Sequence, residues 1–229
     1  MGIMDAQLGC RVVSRRKSQG SAESFIPEKQ TLPALQKAAA DCRACDLWEN
    51  ATQTVFGEGK RRARVVLIGE QPGNDEDLQG KPFVGPAGRL LDQALEDAGI
   101  DRRQTYVTNV VKHFKWEARG KRRIHKKPTS TEIDACRPWL EAEIGAVKPK
   151  IIVCLGATAA QTLLGKSFRV SRQRGQPIPS PLAQLVIATV HPSSILRAAD
   201  EPSRQLEMRR FIDDLKIVAD ALVNDDTDL

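Results

Sequence analysis

Aromatic residues make up only 4% of the 229-residue chain, with a single tyrosine among them. A platform that stacks successive single-stranded bases on exposed rings is therefore not expected. No apolar run approaches the roughly 20 residues that cross a bilayer, and the first residues lack the apolar core of a secretory signal. The expectation is a cytosolic protein with no membrane partner. Five cysteines are too few and odd in number for a disulfide framework, so in a reducing compartment they read as metal ligands or buried thiols. The chain also lacks a GxxxxGK[ST] phosphate loop, a dinucleotide fingerprint and a GxSxG nucleophile elbow. Those absences set aside the common nucleotide-binding and serine-hydrolase chemistries.

What is present is an excess of cations, with a formal charge of +6. That balance points to a polyanionic partner, nucleic acid first. Residues 1–28 are polar, basic and aperiodic, which predicts a disordered leader in which Cys10 has no structural role. From Thr31 onward, LPALQKAAADC has the spacing of a short helix. Four apolar, β-branched segments then recur: ARVVLIG (63–69), YVTNVV (106–111), KIIVCLG (150–156) and QLVIATV (184–190). Continuous apolar runs of this length predict strands covered on both faces.

Helical patterns separate the strands. PAGRLLDQALEDAG closes at Gly99, and Thr129 with Glu132 forms a capping box that opens TEIDACRPWLEAEIGAV, with Pro138 as a kink. ATAAQTLLG and RQLEMRRFIDDLKIVADAL supply two more helices, and the acidic residues 224–229 read as a frayed tail. The expected fold is α/β, a three-layer αβα arrangement around a mostly parallel four-stranded sheet.

In such a sheet, ligands bind beyond the carboxyl ends of the strands. The residues found there are Glu70 and Gln71 in the Gly69–Gly73 loop, then Asn109 and His113, then His191 and Ser193 in HPSS. HPSS would serve equally well as a helix N-cap, but three strands delivering polar groups to one edge predict a shared cleft. Cys42 and Cys45 form a CxxC pair, Cys136 lies far downstream, and the fourth ligand is either His113 or Cys154. Cys154 falls inside an apolar strand, where an inert thiol belongs, which favours His113. By spacing alone such a set holds zinc or an iron–sulfur cluster equally well. The stretch KRRIHKKP sets His125 among five cations, and surrounding positive charge favours the neutral imidazole, the form that acts as a base or nucleophile.

Taken in order, VVLIGEQPGNDEDLQGKPFVGPAGRLLDQAL, YVTNVVKHFKW, GKRRIHKKP, ACRPWL, CLGATAAQTLLG and HPSSILR resemble the uracil-DNA glycosylase superfamily. They look most like its family X, the UdgX type, to which GEQPG combined with a KRRIH insertion is specific. The resemblance covers residues 29–223 as one domain. It implies uracil-containing DNA as partner, a [4Fe-4S] cluster of structural role, and a relation to the iron–sulfur family 4 enzymes. One of the four ligand cysteines of family 4 falls where this chain has His113, which implies a Cys42, Cys45, His113 and Cys136 set and leaves Cys154 in the core.

The resemblance also assigns a base pocket. Phe83 would stack on uracil. The Asn109 amide would donate to O4 and accept from N3–H, a pattern that cytosine reverses. His191 would stabilise the departing uracil anion near O2, Ser193 would contact a phosphate, and Gln71 would line the pocket. His125 would attack C1′ in place of water and leave the protein joined to abasic DNA, with Glu70 orienting or deprotonating it. Lys121, Arg122 and Arg123 would hold that loop against phosphates. Two alternatives stand beside this reading: a turnover enzyme of the family 4 kind in which KRRIH only grips DNA, and a non-enzymatic metal-bearing DNA-binding module. Nothing in the sequence demands a protein partner or more than a monomer.

Overall fold

The computed structural model describes residues 20–227. Cys10 and most of the basic leader, for which disorder was expected, therefore lie outside the described residues. Its last part does not: Ala22–Phe25 forms a 3-10 turn capped by Ser21, Ala22 is fully buried, and Phe25 and Ile26 pack on the core. Packed structure thus begins ahead of residue 29.

Among the described residues eight strands form, named β1 (Glu58–Gly59), β2 (Val65–Gly69), β3 (Thr105–Asn109), β4 (Trp116–Arg119), β5 (Arg122–His125), β6 (Ile151–Leu155), β7 (Ile178–Ser180) and β8 (Ala183–Thr189). The helices are α1 (Leu32–Ala39), α2 (Asn74–Gln79), α3 (Pro86–Asp97), α4 (Ser130–Val147), α5 (Ala157–Leu164), α6 (Val170–Gln173), α7 (Pro192–Leu196) and α8 (Glu201–Thr227). The main sheet has six strands in the order β1-β3-β2-β6-β8-β7, not the four expected. The four central strands run parallel as anticipated, and β1 and β7 add short antiparallel edges. Two separate apolar clusters flank the sheet, one holding residues of α1, α4 and α5 and the other residues of α3, α7 and α8, which gives the three layers.

Local chemistry accounts for the element ends. Thr129 and Glu132 form the anticipated capping box, with Thr129 N–H donating to Glu132 at 2.7 Å. Beyond α3, Gly99 takes φ +78°, its N–H bonds Glu96 and that of buried Ile100 bonds Leu95, a Schellman closure that needs the left-handed conformation glycine tolerates. Helix α4 continues through Pro138, where a kink was expected. Helix α8 runs to Thr227, well into the tail expected to fray, and residues 228–229 lie outside the described residues. Among the described residues no helix is long and apolar enough to cross a membrane.

The KRRIH stretch is not a loop. It forms β5, which pairs with β4 in a two-stranded hairpin that sets Trp116 opposite His125. Gly120 at φ +61° opens the two-residue turn between Arg119 and Arg122, a primed turn whose twist matches the hairpin.

Candidate active site

The carboxyl ends of β2, β3, β6 and β8 open onto one cavity of about 540 Å³. It is lined by Glu70, Gln71, Phe83, Asn109, His191 and Ser193, and His125 of the hairpin reaches it from the side. The structure thus brings together at one space every residue for which the sequence predicts a catalytic or base-pocket role.

The pocket walls depend on missing side-chain atoms. Gly69 pairs with Asn109 across β2 and β3, and a Cβ on it would lie 2.3 Å from Asn109 Oδ1 and 2.8 Å from Phe83 Cζ. Phe83 takes φ +56°, an uncommon conformation for a bulky residue that clusters at functional sites. Gly88 in α3 permits it, because a Cβ there would fall 1.7 Å from the Phe83 carbonyl oxygen. So held, the Phe83 ring lies nearly parallel to the His191 imidazole, with centroids 6.1 Å apart.

His191 is also the N-cap of α7, while its ring borders the cavity. Its Nδ1 accepts the Ser193 backbone N–H at 3.2 Å and lies 2.8 Å from the Ser193 hydroxyl. An N–H can only donate, so Nδ1 is the acceptor nitrogen and the ring proton sits on Nε2. Burial, reinforced by Arg197 and His125, lowers the His191 pKa to about 4 and keeps the ring neutral at pH 7.

Glu70 stands immediately after β2. Its Oε1 lies 3.5 Å from His125 Nε2, and its Oε2 accepts a short hydrogen bond from the Thr158 hydroxyl. The His125 side chain is half exposed. Gln71, expected to line the pocket, does border it, and its amide is also committed to the backbone: its Nε2 donates to the carbonyls of Lys115 and Lys126, and its Oε1 accepts the Lys115 N–H. Because these backbone groups lie at the two feet of the hairpin, Gln71 clamps the element that carries His125.

Arg123, expected to grip DNA, is turned to the protein. It donates to Asp77 at 2.6 Å, Asn74 at 2.9 Å and Thr52 at 3.2 Å, and its guanidinium lies over Phe114 and Trp116. Opposite charge and two ring faces outbid solvent for it. Lys121 and Arg122 remain exposed at the hairpin tip. Asp77, fully buried, also accepts the Thr52 N–H, so its role is to anchor the hairpin and a neighbouring loop.

The expected cluster cysteines lie in the core on the face of the sheet that carries α1 and α4. Cys42, Cys45 and Cys136 are all buried, and a charge on Cys42 or Cys45 would act on Cys136. Burial pushes the Cys136 thiol up to about 12, opposed by Lys112, whose N–H donates to its Sγ at 3.3 Å. Burial also raises Cys45, and Trp139 Nε1 donates to Cys42 Sγ at 3.2 Å. Sulfurs that already accept N–H donors suit thiolate ligation. His113 does not join them: its Nε2 lies 2.9 Å from the Thr54 hydroxyl, and burial lowers its pKa to about 4. Among the described residues no three His, Cys, Asp or Glu side chains are arranged as a metal site, so the expected set of Cys42, Cys45, His113 and Cys136 is not assembled, with His113 turned to Thr54. Cys154 is fully buried in β6, where burial alone raises it to about 12.

Two features escaped the sequence reading. Thr158 carries no charge and sits in a Gly-Ala-Thr turn that resembles any strand-to-helix connection. Lys112 and Glu143 form an ion pair that is almost wholly buried. Glu143 also accepts from Tyr106, Thr108 and Gly57 N–H, and Lys112 Nζ donates to the Asn109 carbonyl at 2.7 Å. The pair ties α4 to the end of the strand that bears Asn109.

The family model for the Uracil DNA glycosylase superfamily matches residues 56–216. The chain is 38% identical over 185 residues to a Type-4 uracil-DNA glycosylase of Thermotoga maritima, a span covering 80% of this chain and 90% of that protein. It is 35% identical over 181 residues to a Type-4 uracil-DNA glycosylase of Archaeoglobus fulgidus, covering 73% and 84%. A Type-5 uracil-DNA glycosylase of Thermus thermophilus is 31% identical over 159 residues, covering 61% and 68%. With a family match across most of its length, enclosing Glu70, Phe83, Asn109, His125 and His191, the chain belongs to the uracil DNA glycosylase superfamily.

Proposed function

We propose that this protein excises uracil from DNA and then joins itself, through His125, to C1′ of the abasic sugar. The observation that carries the proposal is the placement of His125 at the mouth of the cavity that holds Glu70, Asn109 and His191, with Nε2 3.5 Å from Glu70.

Uracil in a duplex must leave the stack to reach this cavity. Phe83 then covers its face and Asn109 reads its edge. As the C1′–N1 bond breaks, its electron pair departs on uracil, and the neutral Nε2–H of His191 donates to the developing negative charge at O2. The sugar gains oxocarbenium character, as in glycoside hydrolysis. An imidazole nitrogen of His125 supplies the new bond to C1′, and the proton displaced from the ring passes to Glu70. The product is an N-substituted imidazole, a poor leaving group, so the protein acts once. Lys121 and Arg122 at the hairpin tip are free to meet phosphates, and Ser193 faces the same cavity.

The names of the Type-4 relatives favour a second reading, in which Glu70 activates water, turnover continues and the hairpin only grips DNA. The two readings part on a denaturing gel: capture leaves a heat-stable protein–DNA band, whereas turnover leaves free abasic strand.

For the cofactor, the proposal is a [4Fe-4S] cluster, with zinc as the alternative, held by Cys42, Cys45 and Cys136 and by His113 once it leaves Thr54. Bound there, the group would fix the α1 end, β3 and α4 together and take no part in the bond changes. Iron and acid-labile sulfide assays on the purified protein, beside Cys136→Ala, separate cluster from zinc. Monomeric action in the cytosol completes the proposal.

A further inference from the structure

We infer that Thr158 is a positioning residue for Glu70, and that its hydroxyl fixes the orientation in which the carboxylate faces His125. The inference rests on the excision chemistry proposed above and adds a residue to it.

The placement follows from the sheet. Strands β2 and β6 are parallel neighbours, with Ile68 opposite Cys154, so both chains emerge side by side at the cavity. After β2 comes Glu70. After β6 the chain turns through Gly156 at φ +92°, where a Cβ would meet His191 Cβ at 3.0 Å. That turn starts α5 at once and brings Thr158, only 5% exposed, back over the end of β2.

A carboxylate alone would not stay aimed. The terminal torsion of glutamate is broad and two-fold, so its two oxygens exchange readily in a roomy cavity. Here Oε2 is held by the Thr158 hydroxyl, and the Glu70 carbonyl accepts the Val111 N–H at 3.0 Å. With one oxygen and the main chain fixed, Oε1 is left to His125. A hydrogen bond from a hydroxyl to an ionised oxygen is among the stronger kinds, and here it is shielded from solvent. Thr158 borders the same cavity and acts on Glu70 through this hydrogen bond, and its own carbonyl accepts the Thr162 hydroxyl, which steadies the first turn of α5.

The test compares Thr158→Val, which keeps shape and removes the donor, with Thr158→Ser, which keeps the donor and removes a methyl. Single-turnover rates on a uracil oligonucleotide are measured across a range of protein concentrations. Thr158→Val is expected to lower the saturating rate about 10- to 100-fold, the factor for a lost hydrogen bond to a charged group, with the half-saturating concentration unchanged. Thr158→Ser is expected to stay within about threefold of the parent by the same measure. In a Glu70→Gln background, Thr158→Val should have little further effect, because the two residues act as one unit.

Equal rates for Thr158→Val and the parent would overturn the inference, as would equal losses in the valine and serine variants, which would mark a packing role. If Thr158→Val fails to fold, Thr158→Cys, a much weaker donor of similar size, replaces it under the same criteria. Failure of the parent to release uracil would sink the underlying reading instead.

Discussion

At the scale of single residues, the site is defined as much by absent atoms as by present ones. Gly69 is required because Asn109 and Phe83 both occupy the space its side chain would need. Gly69→Ala is therefore expected to abolish uracil release by displacing the reading amide, while its melting temperature stays near that of the parent. Single-turnover excision beside a thermal melt checks this, and unimpaired excision would contradict it. Glu70, Asn109 and His191 were legible in the sequence because each is a polar residue at or just beyond the carboxyl end of an apolar run, where ligands bind in such a sheet. Thr158 was not, because a neutral hydroxyl at the start of a helix has an ordinary explanation. Nor was the commitment of Gln71 and Arg123, since partners as distant as Lys126 and Asp77 are supplied only by the fold.

At the scale of elements, the hairpin β4–β5 carries His125, the residue on which the two proposed readings part. Its sequence is polar and charged, so no apolar period announced it as strands. Its stability comes from outside: Gln71 at its feet, Arg123 between Asp77 and two rings, and Lys115 reaching Glu132 at 2.8 Å. Gln71→Ala should loosen the hairpin while sparing Asn109 and His191, so the yield of covalent product is expected to fall more steeply than uracil release. Both are measured in one time course, and parallel losses would show that Gln71 acts on the base pocket itself. The edge strands escaped the sequence for a related reason. The two residues of β1 are exposed and β7 contains Pro179, so only pairing with β3 and β8 makes them strands. The central strands needed no such help, because burial on both faces demands a continuous apolar run.

At the scale of the whole molecule, two buried histidines couple stability to pH. His191 and His113 both have folded-state pKa values near 4, below the ordinary 6.5, so the unfolded chain binds the extra protons. Stability is then present above about pH 6.5 and is lost as pH falls toward 4, at up to about 1.4 kcal/mol per pH unit for each group. Denaturant midpoints at pH 7, 6 and 5 should fall for the parent protein and fall less for His191→Asn; identical slopes would contradict the neutral assignment of His191.

The most direct test of capture by His125 is a denaturing gel of purified protein incubated with a uracil-containing oligonucleotide, run beside His125→Ser and a thymine control. The expected result is a heat-stable, uracil-dependent band of protein joined to DNA that is missing in His125→Ser and in the control. Release of uracil by the parent protein with no shifted band would contradict capture, and would leave the hairpin as a DNA grip on a turnover enzyme.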